Sequence, residues 1–274
     1  MKNQTKHLQI RTKKLMNSLF VGNFKSAFHG RGIEFQDFRE YTPTDDAKYI
    51  DWAVSGREGK TIMRRYREDK EGTVLCIFNE TESLKYRDGV KYELAQEIVV
   101  LLGQVSLQSG DRFGGYRLTD TGPEYIAPVK SQITLERFIS QKTPQSGSKK
   151  ISLDFLLKSQ MKRNIIFVVS DTLDIDEKSF KIAALKHDVV YLHISSHFEN
   201  TLEGGGVEGV RGFGGASSIN LGDIKKKKLY QEKRREQLQK FSKKLRKLGI
   251  HSAFFDEKKS IFGEFFALMK ERER

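Results

Sequence analysis

The sequence predicts a doubly wound α/β fold built on a mostly parallel sheet. Near-continuous apolar runs, such as TVLCIF at 73–78 and NIIFVVS at 164–170, are the first sign. Amphipathic stretches of helical period alternate with them, and turns rich in Gly, Asp and Ser separate the two. Runs that are apolar at every position belong to strands buried on both faces. Strand–helix alternation places those strands in parallel.

Residues 5–27 read as a helix, with Leu8, Leu15, Leu19 and Phe20 among its apolar positions. Residues 28–69 are dense in Gly, Asp and aromatics, with little periodicity, and contain a strand near Thr61–Tyr66. The strand at 73–78 is followed by a helix over Gly89–Leu107, whose apolar face includes Val90, Leu94, Ala95, Ile98, Leu101, Leu102 and Val105. FGGYRLT and EYIAPV read as a hairpin about Asp120–Gly122, and Ile133–Ser140 as a helix. A polar loop over 141–150 leads to a helix at Leu153–Met161, the strand at 164–170, a helix at Asp176–Lys186 and the strand VVYLHIS. The glycine-rich stretch 203–218 reads as a loop. A long basic helix over Lys225–Lys247 keeps an apolar stripe at Tyr230, Leu238, Phe241, Leu245 and Leu248, and Gly249 caps its end. Strand HSAFFD and a helix at Phe262–Glu271 complete the alternation. Two regions are therefore expected: 1–72, a helix and irregular segment packed on the core, and 73–274, the α/β domain.

At 274 residues with 37% hydrophobic and 31% charged side chains, the chain can bury a substantial core. It has no apolar run of bilayer length, and its basic N-terminus lacks the apolar core of a secretory signal. The expected location is the cytoplasm, with a peripheral position at the inner membrane left open. The single cysteine, Cys76, excludes an intramolecular disulfide and a multi-cysteine zinc site, and its strand position marks it as a packing residue. A net charge of +13 suits an acidic partner or a lysine-rich solvated surface.

Several motifs fail on inspection. GREGKT at 56–61 ends like a phosphate-binding loop, but Val54 stands where the first glycine is needed. His193 and His197 are four apart, yet one lies in a strand and the other beyond its end. No nucleophile elbow or triad partner is evident.

The stretch FNETESLK, 78–85, is more specific. It leaves a buried strand with an amide and two hydroxyls at alternate positions: Asn79, Thr81 and Ser83. Ligands of doubly wound sheets bind beyond the carboxyl ends of the strands, beside the point where strand order reverses. Asn79–Ser83, Ser170–Asp171 and the glycine-rich loop all follow predicted strands and can share that edge. Hydroxyls with Asp171, and with Asp111 or Asp174 as further contributors, are the oxygen donors a hard dication requires. The same side chains also suit helix and turn capping.

The segment from Gly30 to Trp52 resembles the DUF58 family, whose signature runs approximately G-x-G-x-E-F-x-x-x-R-x-Y-x-x-G-D-D-x-R-x-I-D-W. Gly30, Gly32, Glu34, Phe35, Arg39, Tyr41, Asp45, Asp46, Ile50, Asp51 and Trp52 match it, while Thr44 replaces a glycine and Lys48 an arginine. Acids, arginines and aromatics packed so densely are expected to form a structural collar held by charge-assisted hydrogen bonds. The resemblance implies a von Willebrand factor A-like domain. In such domains the first core strand ends in D-x-S-x-S, a metal-ion-dependent adhesion site completed by a later threonine and aspartate. By that resemblance Asn79 takes the first aspartate position, Thr81 and Ser83 the hydroxyl positions and Asp171 the later aspartate. Ser148 or Lys149 falls where the threonine belongs. The loss of the first carboxylate implies a degenerate site, with no cofactor expected and at most weak Mg²⁺ or Mn²⁺ binding.

The resemblance further implies a non-enzymatic adaptor that works with a MoxR-type AAA+ ATPase, presenting an assembly client or membrane-complex component. The expected contact edge comprises Glu80, Glu82, Ser148, Gly205 and Gly212 beside the site residues. The competing expectation is a binder of nucleic acid or an anionic membrane surface through the basic helix 225–247. Metal-dependent hydrolysis is disfavoured, because the site lacks a carboxylate pair and a candidate base.

Overall fold

A computed structural model describes residues 24, 34–67, 72–85, 89–119, 121–140, 149–157, 162–204, 206–212 and 215–272. The first described pair of strands is antiparallel, β1 (Glu34–Glu40) with β2 (Ile62–Arg67), and helix α1 (Trp52–Glu58) lies between them in sequence. Strand and helix then alternate through β3 (Thr73–Asn79), α2 (Val90–Gln108), β4 (Arg112–Thr119), β5 (Gly122–Val129), α3 (Gln132–Ser140) and α4 (Asp154–Leu157). The alternation continues with β6 (Ile165–Ser170), α5 (Glu177–Lys186), β7 (Asp188–Ile194) and α6 (His197–Thr201). Hairpin strands β8 (Val207–Gly212) and β9 (Gly215–Asn220) precede α7 (Ile224–Lys247), β10 (His251–Phe255) and α8 (Ile261–Arg272).

The central sheet runs β10–β7–β6–β3–β4–β5, parallel throughout except for the antiparallel β4–β5 hairpin. The chain lays β4 and β5 on one side of β3, then returns past it to lay β6, β7 and β10 on the other. Strand order therefore reverses between β3 and β6, where connections leaving in opposite directions open a crevice at the carboxyl ends.

The two-residue period of the buried strands builds two cores. Val74, Cys76 and Phe78 of β3 join Phe167, Leu192 and residues of α2, α3 and α8 on one face. Leu75 and Ile77 join Val168, Tyr191, Phe180 of α5 and Phe241 and Leu245 of α7 on the other. Alternate side chains leave a strand on opposite faces, so a strand covered by helices on both sides must be apolar throughout. Of the expected N-terminal helix only Phe24 is described, helical, buried and stacked on Phe167. The rest of that helix lies outside the described residues, as do Gly30, Gly32, Ser148 and Gly205. Among the described residues no helix is long and apolar enough to cross a membrane.

The expected loop over 203–218 is instead a hairpin: Val207 pairs with Asn220 and Gly212 with Gly215. Glycine at every second or third position masks the strand signal, because it supplies no side chain to alternate. The helix expected over Leu153–Met161 is described only for α4, with 158–161 outside the described residues.

One glycine fixes the spacing of the central strands. Gly115 has φ +142°, and a Cβ there would lie 2.0 Å from the Cys76 carbonyl oxygen on β3. Gly115→Ala is therefore expected to lower unfolding free energy in urea by at least about 3 kcal/mol, since it combines a strained backbone with overpacking. Gly56→Ala in α1, where an added Cβ meets nothing within 4 Å, is expected to raise it by about 0.5–1 kcal/mol. Equal effects of the two substitutions would refute this account of Gly115.

Candidate functional site

Where β3 reaches the end of the sheet, its side chains turn from apolar to polar. Asn79 is buried, and its Nδ2 donates to Ser170 Oγ at the end of β6, 3.0 Å away. A single 3-10 turn over Glu82–Lys85 follows, closed by Leu84 N donating to Thr81 O. That turn aims two hydroxyls at one carboxylate: Thr81 Oγ1 donates to Asp171 Oδ1 at 2.6 Å, and Ser83 Oγ donates to Asp171 Oδ2. Asn79, Thr81, Ser83 and Asp171, four residues picked out from sequence, therefore converge at the switch point.

A fifth residue completes the cluster. Lys91 Nζ lies 3.1 Å from Asp171 Oδ2 and 2.5 Å from Glu199 Oε1. Its side chain is 4% exposed and that of Asp171 2%. Lys91 occupies the second position of α2, one turn before Leu94 and Ala95 on the buried stripe. Glu199 is fixed by the start of α6, where Ser196 caps the helix and Glu199 bonds back to the cap's backbone. In this reciprocal capping box Ser196 N donates to Glu199 Oε2, which sets the direction of the carboxylate. Helix α7 closes the far side: Tyr230 Oη donates to Glu199 O at 2.9 Å, and Arg234 Nη2 approaches Glu199 Oε2 at 3.9 Å. Two cations and two carboxylates balance within the cluster.

This donor set does not fit a dication as it is arranged. The Asp171 carboxylate already accepts from two hydroxyls and an ammonium, and Asn79 presents an amide to Ser170. A doubly charged ion beside the Lys91 ammonium would face like-charge repulsion in a site of low dielectric. Lys149, the other candidate for an inward positive charge, is exposed, and its carbonyl accepts from Thr172 Oγ1 at 2.7 Å.

Beside the cluster lies a second buried pair. Arg117 of β4 donates through Nε to Glu80 Oε1 at 2.9 Å and through Nη2 to the same oxygen, and both side chains are buried. Tyr92 Oη donates to the other Glu80 oxygen at 3.4 Å, and burial, followed by the Glu80 charge, pushes the Tyr92 hydroxyl up to about 12. The sequence expectation that Glu80 lies on a contact edge is therefore corrected: its carboxylate points inward because Arg117 needs a counter-charge. Glu82 is exposed.

The remaining expected residues lie elsewhere. Asp111 precedes β4 at the amino end of the sheet, where its Oδ1 accepts from Gly72 N at 2.9 Å. Asp174 is exposed. Gly212 ends β8, and among the described residues no hydrogen bond joins it to the cluster. The signature acids cap and pair. Asp51 caps α1 and accepts from Arg64 Nε at 2.7 Å, Asp45 pairs with Arg39 at 2.5 Å, and Asp46 caps the turn at Ala47–Tyr49. Glu34 and Phe35 belong to β1, and Tyr41 N donates to Thr61 O at 2.8 Å. Trp52 departs from the packed collar, being 73% exposed.

Breaking the Glu80–Arg117 pair leaves one buried charge uncompensated. Arg117→Met is expected to cost about 3–5 kcal/mol of unfolding free energy, whereas Glu80→Leu with Arg117→Met costs less than either single change. Additive costs across this cycle in urea would refute the coupling. His193, fully buried on β7 among Phe241 and Phe254, is held neutral: burial first, then the Arg234 and Lys91 charges, lowers its pKa well below the usual value. The unfolded chain takes up this proton below about pH 6.5, so the stability is present above that pH and lost as pH falls. His193→Leu is expected to flatten the decline in unfolding midpoint between about pH 7 and 5. An unchanged slope would count against this assignment.

Comparison with known proteins places this arrangement in context. Residues 37–239 match the family described as protein of unknown function DUF58. The chain is 22% identical over 200 residues to uncharacterised proteins of Mycobacterium tuberculosis and Mycobacterium bovis. That alignment covers 68% of this chain, and the chain spans 62% of the length of those curated relatives. Among solved structures it is similar to an aerotolerance-related membrane protein from Bacteroides fragilis, at 11% identity over 73% of this chain and 99% of that one, with a TM-score of 0.42. It is also similar to the von Willebrand factor A domain of SpRpn10, at 11% identity over 73% and 94% of the two chains, with a TM-score of 0.37. The family match takes in the signature from Arg39 to Trp52, the switch-point cluster and the residues Tyr230 and Arg234 of α7 that contact Glu199, and the chain belongs to the DUF58 family.

Proposed function

We propose that this protein is a non-enzymatic interaction module whose carboxyl-end sheet edge contacts a protein partner, and that the partner is a MoxR-type AAA+ ATPase in the assembly or maturation of a protein complex. One observation carries the non-enzymatic reading. The polar groups at the switch point, where a doubly wound sheet places its ligand, bond one another: Asp171 with Thr81, Ser83 and Lys91, and Glu80 with Arg117. An acid–base or nucleophilic centre needs a group within reach of substrate and free to exchange a proton. Here the charges are internal and paired, which suits a rigid contact platform with a degenerate metal site. Membership of the DUF58 family, and the association of that family with MoxR-type ATPases, support the choice of partner.

A second reading uses α7, which carries twelve basic and two acidic residues. Lys226, Lys240, Lys244 and Arg246 already pair with acids of the fold, while Lys225 and Lys228 are exposed. A single experiment separates the two. The purified protein is titrated with the MoxR-type ATPase of the same genome, with duplex DNA and with anionic vesicles, at two salt concentrations. The expected result is ATPase binding that Glu82→Lys weakens by about tenfold, equivalent to about 1.4 kcal/mol. Failure of the ATPase to bind, or binding indifferent to Glu82→Lys, overturns the first reading. Binding to DNA or vesicles that falls steeply with salt would establish the second.

A further inference from the structure

We propose that Lys91 is a tethered replacement for the metal ion, so that the switch-point site is held permanently closed by the protein's own ammonium. The inference rests on reading this strand end as the counterpart of an adhesion-type metal site, and it adds the identity of the occupant.

The geometry is that of a cation site with a cation in it. Asp171 and Glu199 supply carboxylate oxygens at 3.1 and 2.5 Å from Nζ, each close enough for an ion pair with the ammonium. Thr81 and Ser83 stand 3.2 Å apart and bond the same Asp171 carboxylate, Thr81 at Oδ1 and Ser83 at the Oδ2 that Lys91 also approaches. In a metal site these hydroxyls would turn their oxygens toward the ion. Here they act as donors and hold Asp171 in place for Lys91.

The charge count points the same way. An aspartate at position 79 would make a third acid near Asp171 and Glu199. The amide actually present removes that charge, which leaves two carboxylates to be matched by the monovalent Lys91 and by Arg234. An amide in place of a carboxylate is thus compensated by a lysine in place of a dication. Lys91 also comes from α2, the helix that follows this strand, so the replacement is delivered by the local chain and needs no second molecule.

The test measures metal alone, with no partner present, so its outcome is independent of whether the edge binds an ATPase. Mn²⁺ is titrated into the wild-type protein and into Asn79→Asp, Lys91→Ala and the double variant. Binding is read by electron paramagnetic resonance of free Mn²⁺, and thermal midpoints are recorded with and without Mg²⁺. The wild type and Asn79→Asp are expected to show no stoichiometric site. The double variant is expected to gain one, at least about tenfold tighter than any wild-type binding, because ligand charge and the removal of the competing ammonium set the affinity. Mg²⁺ should raise the midpoint of the double variant and leave that of the wild type unmoved. Adding Asp171→Ala to the double variant should abolish the gain. Stoichiometric wild-type binding that Asp171→Ala removes would overturn the proposal. So would a folded double variant without a site. If the double variant does not fold, the wild-type titration and its Asp171→Ala control still decide.

Discussion

The ammonium of Lys91 is the interaction on which the carboxyl end of this fold is organised. Through Asp171 it ties α2 to the end of β6, and through the hydroxyls on that same carboxylate it reaches the turn after β3. Through Glu199 it reaches α6, and from there Tyr230 and Arg234 of α7. The buried charges of Lys91 and Asp171 would each cost several kcal/mol alone. The neighbours are constrained accordingly: the β3 turn must carry hydroxyls, and α6 must begin so that Glu199 faces inward. Its capping box with Ser196 meets that need locally, because one carboxylate both closes the helix start and answers the lysine.

Sheet and cluster rest on different physics. The two apolar cores require only that every second residue of each strand be large and hydrophobic, a demand that β3, β6 and β7 meet on both faces. Such burial stabilises without fixing direction. Direction enters with the buried polar groups, since a charge left without its counter-charge is far more costly than a misplaced methyl group. The Glu80–Arg117 pair sets the end of β4 against the loop after β3 in this way, and the Lys91 cluster does the same for β6 and α6. The cores make the chain compact, and the ion pairs make one arrangement of its loops preferable to others.

The same division explains what the sequence disclosed. Strands and helices of the central sheet were legible because their signals are periodic and local: six-residue apolar runs, and stripes at helical spacing. The convergence of Asn79, Thr81, Ser83 and Asp171 was legible from topology and resemblance together, since ninety residues separate the two loops in sequence. The β8–β9 hairpin was not, because its glycines erase alternation. Lys91, Glu199 and Arg234 are not singled out by the sequence, because a single charge carries little signal in a chain that is 31% charged. A signal was present at two of the three. Lys91 falls three and four residues before Leu94 and Ala95, and Arg234 four after Tyr230, so both sit on stripes that otherwise face the interior. A charge on an apolar stripe implies a buried counter-charge, and Asp171 was already a candidate for that role. Glu80 shows the converse error. Its position between two candidate ligands suggested an outward carboxylate, yet Arg117, a buried cation of β4, requires it within.

A lysine in place of a metal changes what the edge can respond to. A bound ion stabilises its site by an amount that grows with the logarithm of that ion's free concentration, so a metal-dependent surface responds to its surroundings. A tethered ammonium carries its own effective concentration, fixed by the few bonds that join it to α2, and cannot be diluted or chelated away. On that proposal the edge around Glu82 is formed without a metal ion. What can still perturb it is the outer half of the network. Glu199 is 32% exposed where Lys91 is 4%, and it is gripped from outside by α7, the most basic element of the chain. Tyr230 and Arg234 contact Glu199, Glu199 contacts Lys91, and Lys91 contacts Asp171, the acceptor of the Thr81 and Ser83 hydroxyls. In this protein the basic helix and the switch-point edge, two features that the sequence set out as rival binding surfaces, are joined by a continuous run of charged contacts.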